Sequence, residues 1–436
     1  MISAARRNEI VSALRRGTVP ATGLDQLAVG LDPMIAAISE ELEAVAAGQA
    51  QFKAVRGEYG SGKTFFGRWL QERARSRGFA ASEVQINETE TPLHKLETVY
   101  RRIVERLGTQ DSPSGAFRSV IDSWFYALEQ DVLADGSVSA DDEATLLMRT
   151  NELMEARLAQ ISRVAPAFSA VLRTYRLALA AGDLSVADGL IAWLSGQPNV
   201  AASVKRAAGI KGDLDHFAAS NFLAGLLLIL RDSGYSGLLV VLDEVETLQR
   251  MRADTREKGL NALRQWIDEI DAGRFPGLYL ICTGTPAFFD GPQGVQRLAP
   301  LAQRLHVDFS SDRRFDNPRA PQIRLAPFDR LSLVDVGRRV RDLYAQHCAA
   351  AGRIHDRVDD ACIERLADGV AGSLGGKVGI APRLFLKKLV ADLLDRVDLH
   401  EDFDPAKHYQ LTLSEAEMSA TERAASQAQS VDDIDL

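Results

Sequence analysis

The chain has 436 residues, of which 46% are hydrophobic and 25% are charged, and its formal net charge at pH 7 is −9. This composition is that of an ordinary soluble globular protein with room for two or three domains. The negative charge argues against nonspecific nucleic-acid binding by the whole surface, but it leaves a local basic patch open.

The three cysteines and the N-terminal stretch indicate the compartment. Cys282, Cys348 and Cys362 are widely spaced without metal-ligand spacing, which predicts reduced thiols and argues against structural zinc. Arginines interrupt residues 1–16, which therefore lack the apolar core of a signal peptide, and no run is long and apolar enough to span a bilayer. We expect a cytoplasmic protein without a membrane partner.

Residues 1–48 are predicted to form a helical N-terminal segment. Its two helices are expected over Ala4–Arg15 and 33–47, separated by the break at 17–20. The first helix carries four arginines that can either contact DNA phosphates or form a solvated face, and the sequence leaves both interpretations open. These arginines are Arg6, Arg7, Arg15 and Arg16.

A phosphate-binding loop follows the strand predicted over Gln51–Arg56. The pattern G-x-x-x-x-G-K-[ST] is satisfied by Gly57, Glu58, Tyr59, Gly60, Ser61, Gly62, Lys63 and Thr64. The glycines allow a tight turn whose N–H groups point at phosphates, at the positive end of the next helix. Lys63 is expected to reach the β- and γ-phosphates of ATP, and Thr64 to hold Mg²⁺.

The chain then continues as an α/β unit with a helical interruption. A second strand is expected over 83–87 and a helix over 93–107, after which 108–212 show helical periodicity with almost no strand pattern. We interpret 108–212 as a helical insert within a nucleotide-binding domain that spans residues 49–330.

The next predicted strand, over 238–244, is a continuous apolar run that ends in Asp243 and Glu244. Because open α/β sheets bind ligands at the carboxyl ends of their strands, we expect Asp243 to hold Mg²⁺ and Glu244 to polarise the attacking water. The alternative is a pair of acids that merely ends a strand. Glu246 is a second candidate for the catalytic base.

A further strand over 277–283 places Thr283 beside Asp243, where its hydroxyl can sense the γ-phosphate or the attacking water. A simple polar turn is the alternative. A helix over 296–305 and a last strand over 323–328 follow, with Arg304 as the candidate arginine that acts on a neighbouring subunit's γ-phosphate. A surface ion pair is the alternative for Arg304.

The C-terminal part is expected to be a helical lid over 331–397 and a polar tail over 398–436, which from Asp402 on is mobile or dependent on a partner. Pro382 suits the first turn of a helix, which places Arg383 at that helix's N-terminal end. Arg383 is therefore a candidate to touch the nucleotide, with a helix-end ion pair as the alternative.

The order of these features resembles an AAA+ P-loop ATPase of the initiator-like, origin-recognition branch. The resemblance covers about 50–107 and 235–395, where 85–87 are similar to that branch's second strand and 325–328 to its last strand. It implies an α/β fold with a parallel sheet flanked by helices, a helical C-terminal lid, Mg-dependent ATP hydrolysis and a homo-oligomer.

A more specific resemblance is to the ATP-binding proteins of BREX phage-exclusion systems. It lies in the segments 17–20, 52–64 and 240–246. It implies bacterial defence against phage, with a helicase or methyltransferase partner and possible contact with DNA. Candidate DNA-contacting residues in the insert are Lys205, Arg206 and Lys211, whose alternative role is solubility.

Two functions therefore compete on the same residues. One is an ATP-hydrolysing motor or loader that works on or near DNA. The other is a slow nucleotide-gated switch or scaffold that recruits a partner protein without motor activity.

Overall fold

The computed structural model describes residues 2–136, 138–139, 141–373 and 382–412. The strands are β1 (Gln51–Arg56), β2 (Ala80–Gln85), β3 (Leu238–Asp243), β4 (Leu278–Gly284) and β5 (Gln322–Arg324). The helices before β3 are α1 (Ala4–Arg15), α2 (Asp32–Ala46), α3 (Lys63–Ser76), α4 (Leu96–Glu105), α5 (Phe117–Ala134), α6 (Glu143–Arg157), α7 (Ala159–Val164), α8 (Pro166–Ala180), α9 (Leu184–Leu194), α10 (Ala202–Ala207) and α11 (His216–Asp232). The helices after β3 are α12 (Ala253–Asp271), α13 (Pro286–Asp290), α14 (Ala299–Leu305), α15 (Arg330–Ala345), α16 (Ala351–Arg357), α17 (Asp360–Ser373), α18 (Pro382–Lys388), α19 (Asp395–Leu399) and α20 (Pro405–His408), with a π-helical turn over Leu389–Leu394.

The five strands form one parallel sheet in the order β2-β3-β4-β1-β5. Every residue of β3 and β4 is buried, as expected for central strands covered by helices on both faces. Along β3, Val240 and Leu242 face one core, while Leu239 and Val241 face another. The predicted α/β class with a parallel sheet flanked by helices is confirmed.

Two strands differ from their predicted bounds by three or more residues at one end, whereas β3 and β4 differ by one residue. The strand expected over 83–87 is β2, because the small residues Ala80 and Ala81 pair with β3 from its first residue. Asn87 lies beyond the strand, where its side-chain oxygen accepts the N–H groups of residues 89–91 and turns the chain. The strand expected over 323–328 is the shorter β5, since Pro327 has no N–H to donate to a ladder.

Two helices also begin later than expected. The helix predicted over 93–107 is α4, which begins after Lys95. The helix predicted over 296–305 is α14, which begins at Ala299 and has Pro300 in its first turn, where a missing N–H costs no helical bond. A short 3₁₀ turn, Val295–Arg297, precedes it.

The described residues of 108–212 are mainly helical, as predicted, and contain α5 to α10. Its large side chains share one core with the sheet: Trp124 and Phe168 belong to the same cluster as Leu242. The rings of Phe168 and of Phe222 on α11 lie 5.0 Å apart. These helices therefore pack onto one face of the sheet through α11 and do not form a core of their own.

The opposite face of the sheet is covered by the N-terminal segment and the helix after the phosphate loop. Ile38 and Leu42 of α2 pack with Phe66 and Trp69 of α3 against Tyr279 and its neighbours. Each face of the sheet is therefore covered in part by helices from outside the alternating strands and helices. These are the helices of the insert on one face and α2 on the other.

Helix α1 packs on the C-terminal helices. Its residues Ile10, Val11 and Leu14 belong to one core with Val340 of α15 and Phe385 of α18. The N-terminal helix is therefore part of the same packed unit as the predicted lid, although more than 300 residues separate them in the sequence.

Two of the arginines considered for DNA contact fasten α1 to this unit. Arg15 forms an ion pair with Asp395 at 2.6 Å. Arg7 donates to the Tyr344 carbonyl at 3.0 Å and lies over the Tyr344 ring. Both side chains are engaged within the chain.

The domain boundaries at residues 48, 330 and 397 stay predictions. Residues 374–381 of the predicted lid and 413–436 of the predicted tail lie outside the described residues. The described part of the tail is packed, because Phe403, Tyr409 and Leu411 contact the core of the C-terminal helices. The expectation of a mobile tail is therefore wrong for residues up to 412.

Crossing a bilayer takes a long apolar helix, and the described part of the chain contains none.

Candidate nucleotide-binding site

The loop between β1 and α3 needs glycine at three positions. Gly60 and Gly62 have φ of 78° and 90°, in the left-handed region that favours glycine. A Cβ on Gly57 would lie 2.2 Å from the Ser61 hydroxyl oxygen, so the loop has no room for a side chain there. The sequence pattern therefore specifies a tight turn that ends at the first residue of α3.

Lys63 is buried at the start of α3, and its ammonium is directed at the loop. Its Nζ donates to the Gly57 carbonyl at 2.9 Å and lies 3.6 Å from the Glu246 carboxylate. The centroid of the Tyr59 ring lies 4.9 Å from this Nζ. Beside it, the Ser61 hydroxyl oxygen is buried without a hydrogen-bond partner, which is the orphaned polar atom expected where a polar ligand binds.

Asp243, at the carboxyl end of β3, is hydrogen-bonded both to Thr64, which follows the phosphate loop, and to Thr283 of β4. Its Oδ2 accepts a hydrogen bond from the Thr64 hydroxyl at 3.1 Å. Its Oδ1 accepts a hydrogen bond from the Thr283 hydroxyl, which is fully buried at the end of β4. A hydroxyl and a carboxylate oxygen this close match the all-oxygen ligand sets that Mg²⁺ prefers, so the residues present fit that ion.

Glu244 leaves the strand with φ of 61°, a left-handed conformation that is uncommon for a residue other than glycine. Its N–H donates to the Thr283 hydroxyl at 3.3 Å. Its carboxylate accepts a hydrogen bond from the Gln85 side-chain amide at 2.8 Å. The Glu244 side chain is therefore turned towards the end of β2.

Glu246 lies in the 3₁₀ segment Val245–Arg250 that follows Glu244. It is 7% exposed, and its Oε2 has no hydrogen-bond partner. Burial raises the pKa of the Glu246 carboxyl above its ordinary value, and the Lys63 ammonium opposes that shift. The site therefore contains two buried carboxylates, those of Asp243 and Glu246, and the Glu246 carboxylate lies close to Lys63.

A cavity of about 430 Å³ opens from the phosphate loop towards the N- and C-terminal segments. Its wall away from the loop is mainly apolar and is lined by Leu14, Val19, Leu27, Val29, Leu31, Phe328, Val336 and Leu386. Arg383, in the first turn of α18, lines the same cavity. One end is polar and the other apolar, which suits a ligand with phosphates at one end and a flat ring at the other.

The chain matches the model of a known protein family. The model of the BREX system ATP-binding protein BrxC/D matches residues 2–413. The chain belongs to this BrxC/D family. Membership supports ATP binding and a role in BREX defence. A search of the curated proteins finds no match to the chain.

In this BrxC/D family member, most of the predicted site residues lie together. The cavity wall contains Tyr59, Gly60, Ser61, Gly62, Lys63, Thr64, Asp243, Glu244 and Arg383. Gly57 and Glu58 lie behind it at the start of the loop, where their carbonyls accept from Lys63. Thr283 reaches the site through its hydrogen bond to Asp243.

Arg304 lies apart from this group. It is on α14, where its guanidinium pairs with Asp268 at 2.6 Å and with Asp271 at 2.8 Å, both on α12. Within one BrxC/D chain it is therefore part of a surface ion-pair cluster, which is the alternative that the sequence left open.

Sequence reasoning missed two features of this site. Glu246 was considered only as a rival base, although its spacing from Asp243 and its place at the start of a turn could have indicated a second acid facing the loop. The apolar wall formed by 14–31 was not predicted, because the family resemblance of 17–20 does not indicate that this segment packs beside the phosphate loop.

Proposed function

We propose that the protein binds ATP with Mg²⁺ in this cavity and hydrolyses it, as an AAA+-type ATPase that acts in BREX anti-phage defence. The observation that carries the proposal is the convergence of the phosphate loop, Asp243, Glu244 and Thr283 at the carboxyl ends of neighbouring parallel strands. This is where open α/β sheets place ligands.

In this proposal each residue has a defined task. The loop N–H groups and Lys63 bind the phosphates, while Thr64 and Asp243 would hold Mg²⁺, which offsets phosphate charge when bound. Glu244 orients the attacking water once its carboxylate has left Gln85. Thr283 holds the Asp243 carboxylate and the Glu244 N–H in fixed relation.

The apolar wall accepts the base, and Arg383 contacts the nucleotide from α18. Because α1 and the C-terminal helices share one core, the base pocket closes when this unit lies against the phosphate loop. Burying a flat ring against aliphatic side chains contributes about 25 cal/mol to the free energy of binding for each Å² of apolar area removed from water.

A homo-oligomer, in which an arginine of one subunit reaches the nucleotide of the next, is part of the proposal. Arg304 can act in this way only if its guanidinium leaves Asp268 and Asp271. The test is to mix Arg304→Ala subunits with Lys63→Ala subunits. Recovery of turnover above both separate preparations supports action between subunits, and the absence of recovery refutes it.

Steady-state ATP turnover, measured with and without duplex DNA, tests hydrolysis. We expect DNA-stimulated turnover that is lost in Lys63→Ala and in Glu244→Gln. ATP binding should be lost in Lys63→Ala only, since Glu244 acts on water rather than on phosphate. Retained turnover in Glu244→Gln would refute its assignment as the base.

A second candidate is a slow nucleotide-gated switch or scaffold that recruits a partner protein. The observation that favours it is that two side chains needed for hydrolysis contact other residues of the chain. Glu244 accepts a hydrogen bond from Gln85, and Lys63 pairs with Glu246. Tight ATP binding with negligible turnover, unchanged by DNA and by Glu244→Gln, would select this function.

We also propose a BREX partner such as a helicase or methyltransferase, and direct DNA contact through the insert. Lys205 pairs with Asp213 at 2.8 Å, which leaves Arg206 and Lys211 as the better candidates of the three. Reversing the charge of both should lower DNA affinity and its salt dependence. An unchanged affinity and salt slope would exclude this surface.

A further inference from the structure

The contact between Lys63 and Glu246 is not used by the proposed hydrolysis. Both side chains are at least nine-tenths buried, with exposed fractions of 8% and 7%. Nζ of Lys63 lies 3.6 Å from Oε1 of Glu246 and donates to the Gly57 carbonyl at 2.9 Å. The ammonium that should bind phosphates is thus occupied by groups of the protein.

Glu246 is held in place, whereas Lys63 can turn. The 3₁₀ segment that carries Glu246 is anchored by Val245 and Leu248, both fully buried, and by the hydrogen bond from the Thr247 N–H to the Glu244 carbonyl. Lys63 has a flexible four-carbon stem whose ammonium can point in several directions. When phosphates enter, the lysine must therefore be the partner that moves.

The separation of the Lys63 ammonium from the Glu246 carboxylate costs electrostatic free energy. The titratable groups that face it are the Tyr59 hydroxyl, the Asp243 and Glu244 carboxylates, the Cys282 thiol and the Lys63 ammonium. Lys63 is the cation in this set. Once it turns to phosphates, Glu246 is a buried carboxylate that faces other acids and the incoming anion.

We propose that Glu246 is a positioning residue that pairs with the Lys63 ammonium and competes for it with the β-phosphate of the nucleotide. This inference rests on the proposed nucleotide binding. Glu246 thereby weakens the binding of ADP and ATP, and it speeds product release by taking the lysine back. A carboxylate at this position therefore lowers the affinity for nucleotide and raises the rate of turnover.

The experiment compares Glu246→Gln with wild type by equilibrium titration of ADP, ATP and AMP. We expect the affinity for ADP and ATP to rise about tenfold, because one buried unit charge near the phosphates is removed. The affinity for AMP, which has no β-phosphate, should change little. The release rate of ADP should fall by a similar factor.

Two further variants control for structure. Glu246→Asp keeps the charge and should bind ADP within a few-fold of wild type. Glu257→Gln removes an exposed carboxylate of α12 and should leave ADP binding unchanged. The melting temperature of each variant is measured alongside, so that a general loss of folding is separated from a change in affinity.

Weaker ADP binding in Glu246→Gln would overturn the inference, because it would make Glu246 a support for binding. Unchanged ADP affinity with lost turnover would also overturn it and would assign Glu246 as the base. If wild type binds ADP no better than Lys63→Ala, the proposed nucleotide binding itself fails, and Glu246 has no ligand to compete with.

Discussion

Replacing Thr283 by Val removes one hydroxyl and leaves the shape of the side chain almost unchanged. This hydroxyl donates to Oδ1 of Asp243 and accepts the Glu244 N–H at 3.3 Å, and Thr283 is fully buried. A valine side chain can replace neither bond. The substitution tests whether this hydroxyl connects the two acids.

The magnitude follows from the two lost bonds. A hydrogen bond to a charged group contributes roughly 1.5–3 kcal/mol, and the Glu244 N–H is only partly buried, so that water can satisfy it. The free energy of unfolding should therefore fall by about 2–3 kcal/mol. Turnover should fall by about 10- to 100-fold, which corresponds to about 1.4–2.7 kcal/mol of activation free energy. ATP affinity should change less than about threefold, because the Lys63 contacts are untouched.

The assay is phosphate release at saturating ATP, together with ATP titration and urea unfolding. Thr150→Val is the matched control, because Thr150 is also fully buried and its hydroxyl donates only to the Leu146 carbonyl of its own helix at 2.7 Å. The control should retain wild-type turnover. A Thr283→Val protein with more than half of wild-type turnover would refute the link between this hydroxyl and the two acids.

Three other changes have definite expected results. Gln85→Ala frees the Glu244 carboxylate from a 2.8 Å hydrogen bond, so basal phosphate release should rise a few-fold. Gly225→Ala would put a Cβ 2.7 Å from the buried Phe168 ring, so urea unfolding should show a loss of about 1–2 kcal/mol after the gain in helix propensity. Burial raises the pKa of Glu246 above 4.5, so its ionisation in the folded state costs stability. The melting temperature of wild type, compared with that of Glu246→Gln, should therefore fall as pH rises above the ordinary pKa of a glutamate.

Each of these has a result that would contradict it. Unchanged or lower phosphate release in Gln85→Ala would show that the hydrogen bond does not restrain Glu244. Gly352→Ala, where no atom lies within 4 Å of the added Cβ, is the control for Gly225→Ala and should be neutral or slightly stabilising. A melting-temperature difference for Glu246→Gln that is independent of pH would contradict the raised pKa.

The sequence predicted the parts of the site that are encoded by short patterns. The phosphate loop, the buried strand before Asp243 and the following strand that ends near Thr283 all lie as expected, because glycine geometry and apolar runs act over a few neighbouring residues. Strand and helix ends were less certain, as at Asn87, where a side-chain turn decides the boundary.

The remaining features depend on contacts between distant segments. Nothing near Ile10 in the sequence indicates that α1 packs on α18, and nothing near Trp124 indicates that the insert shares the core of the sheet. The pairing of Lys63 with Glu246 depends on which way two side chains turn after the chain has folded. Such arrangements follow from tertiary packing and not from local propensity.

The packing of α1 gives the N-terminal segment a physical role. The cavity is lined by Val19 of this segment, by Lys63 of the phosphate loop and by Arg383 of α18. A nucleotide that contacts all three binds only their assembled arrangement, and it stabilises that arrangement by about 2.7 kcal/mol at one hundred times its Kd. Since α1 shares its core with the C-terminal helices, the two should approach the phosphate loop, or leave it, as one body. We therefore expect nucleotide binding to change the affinity of a partner that contacts α1 or the C-terminal helices.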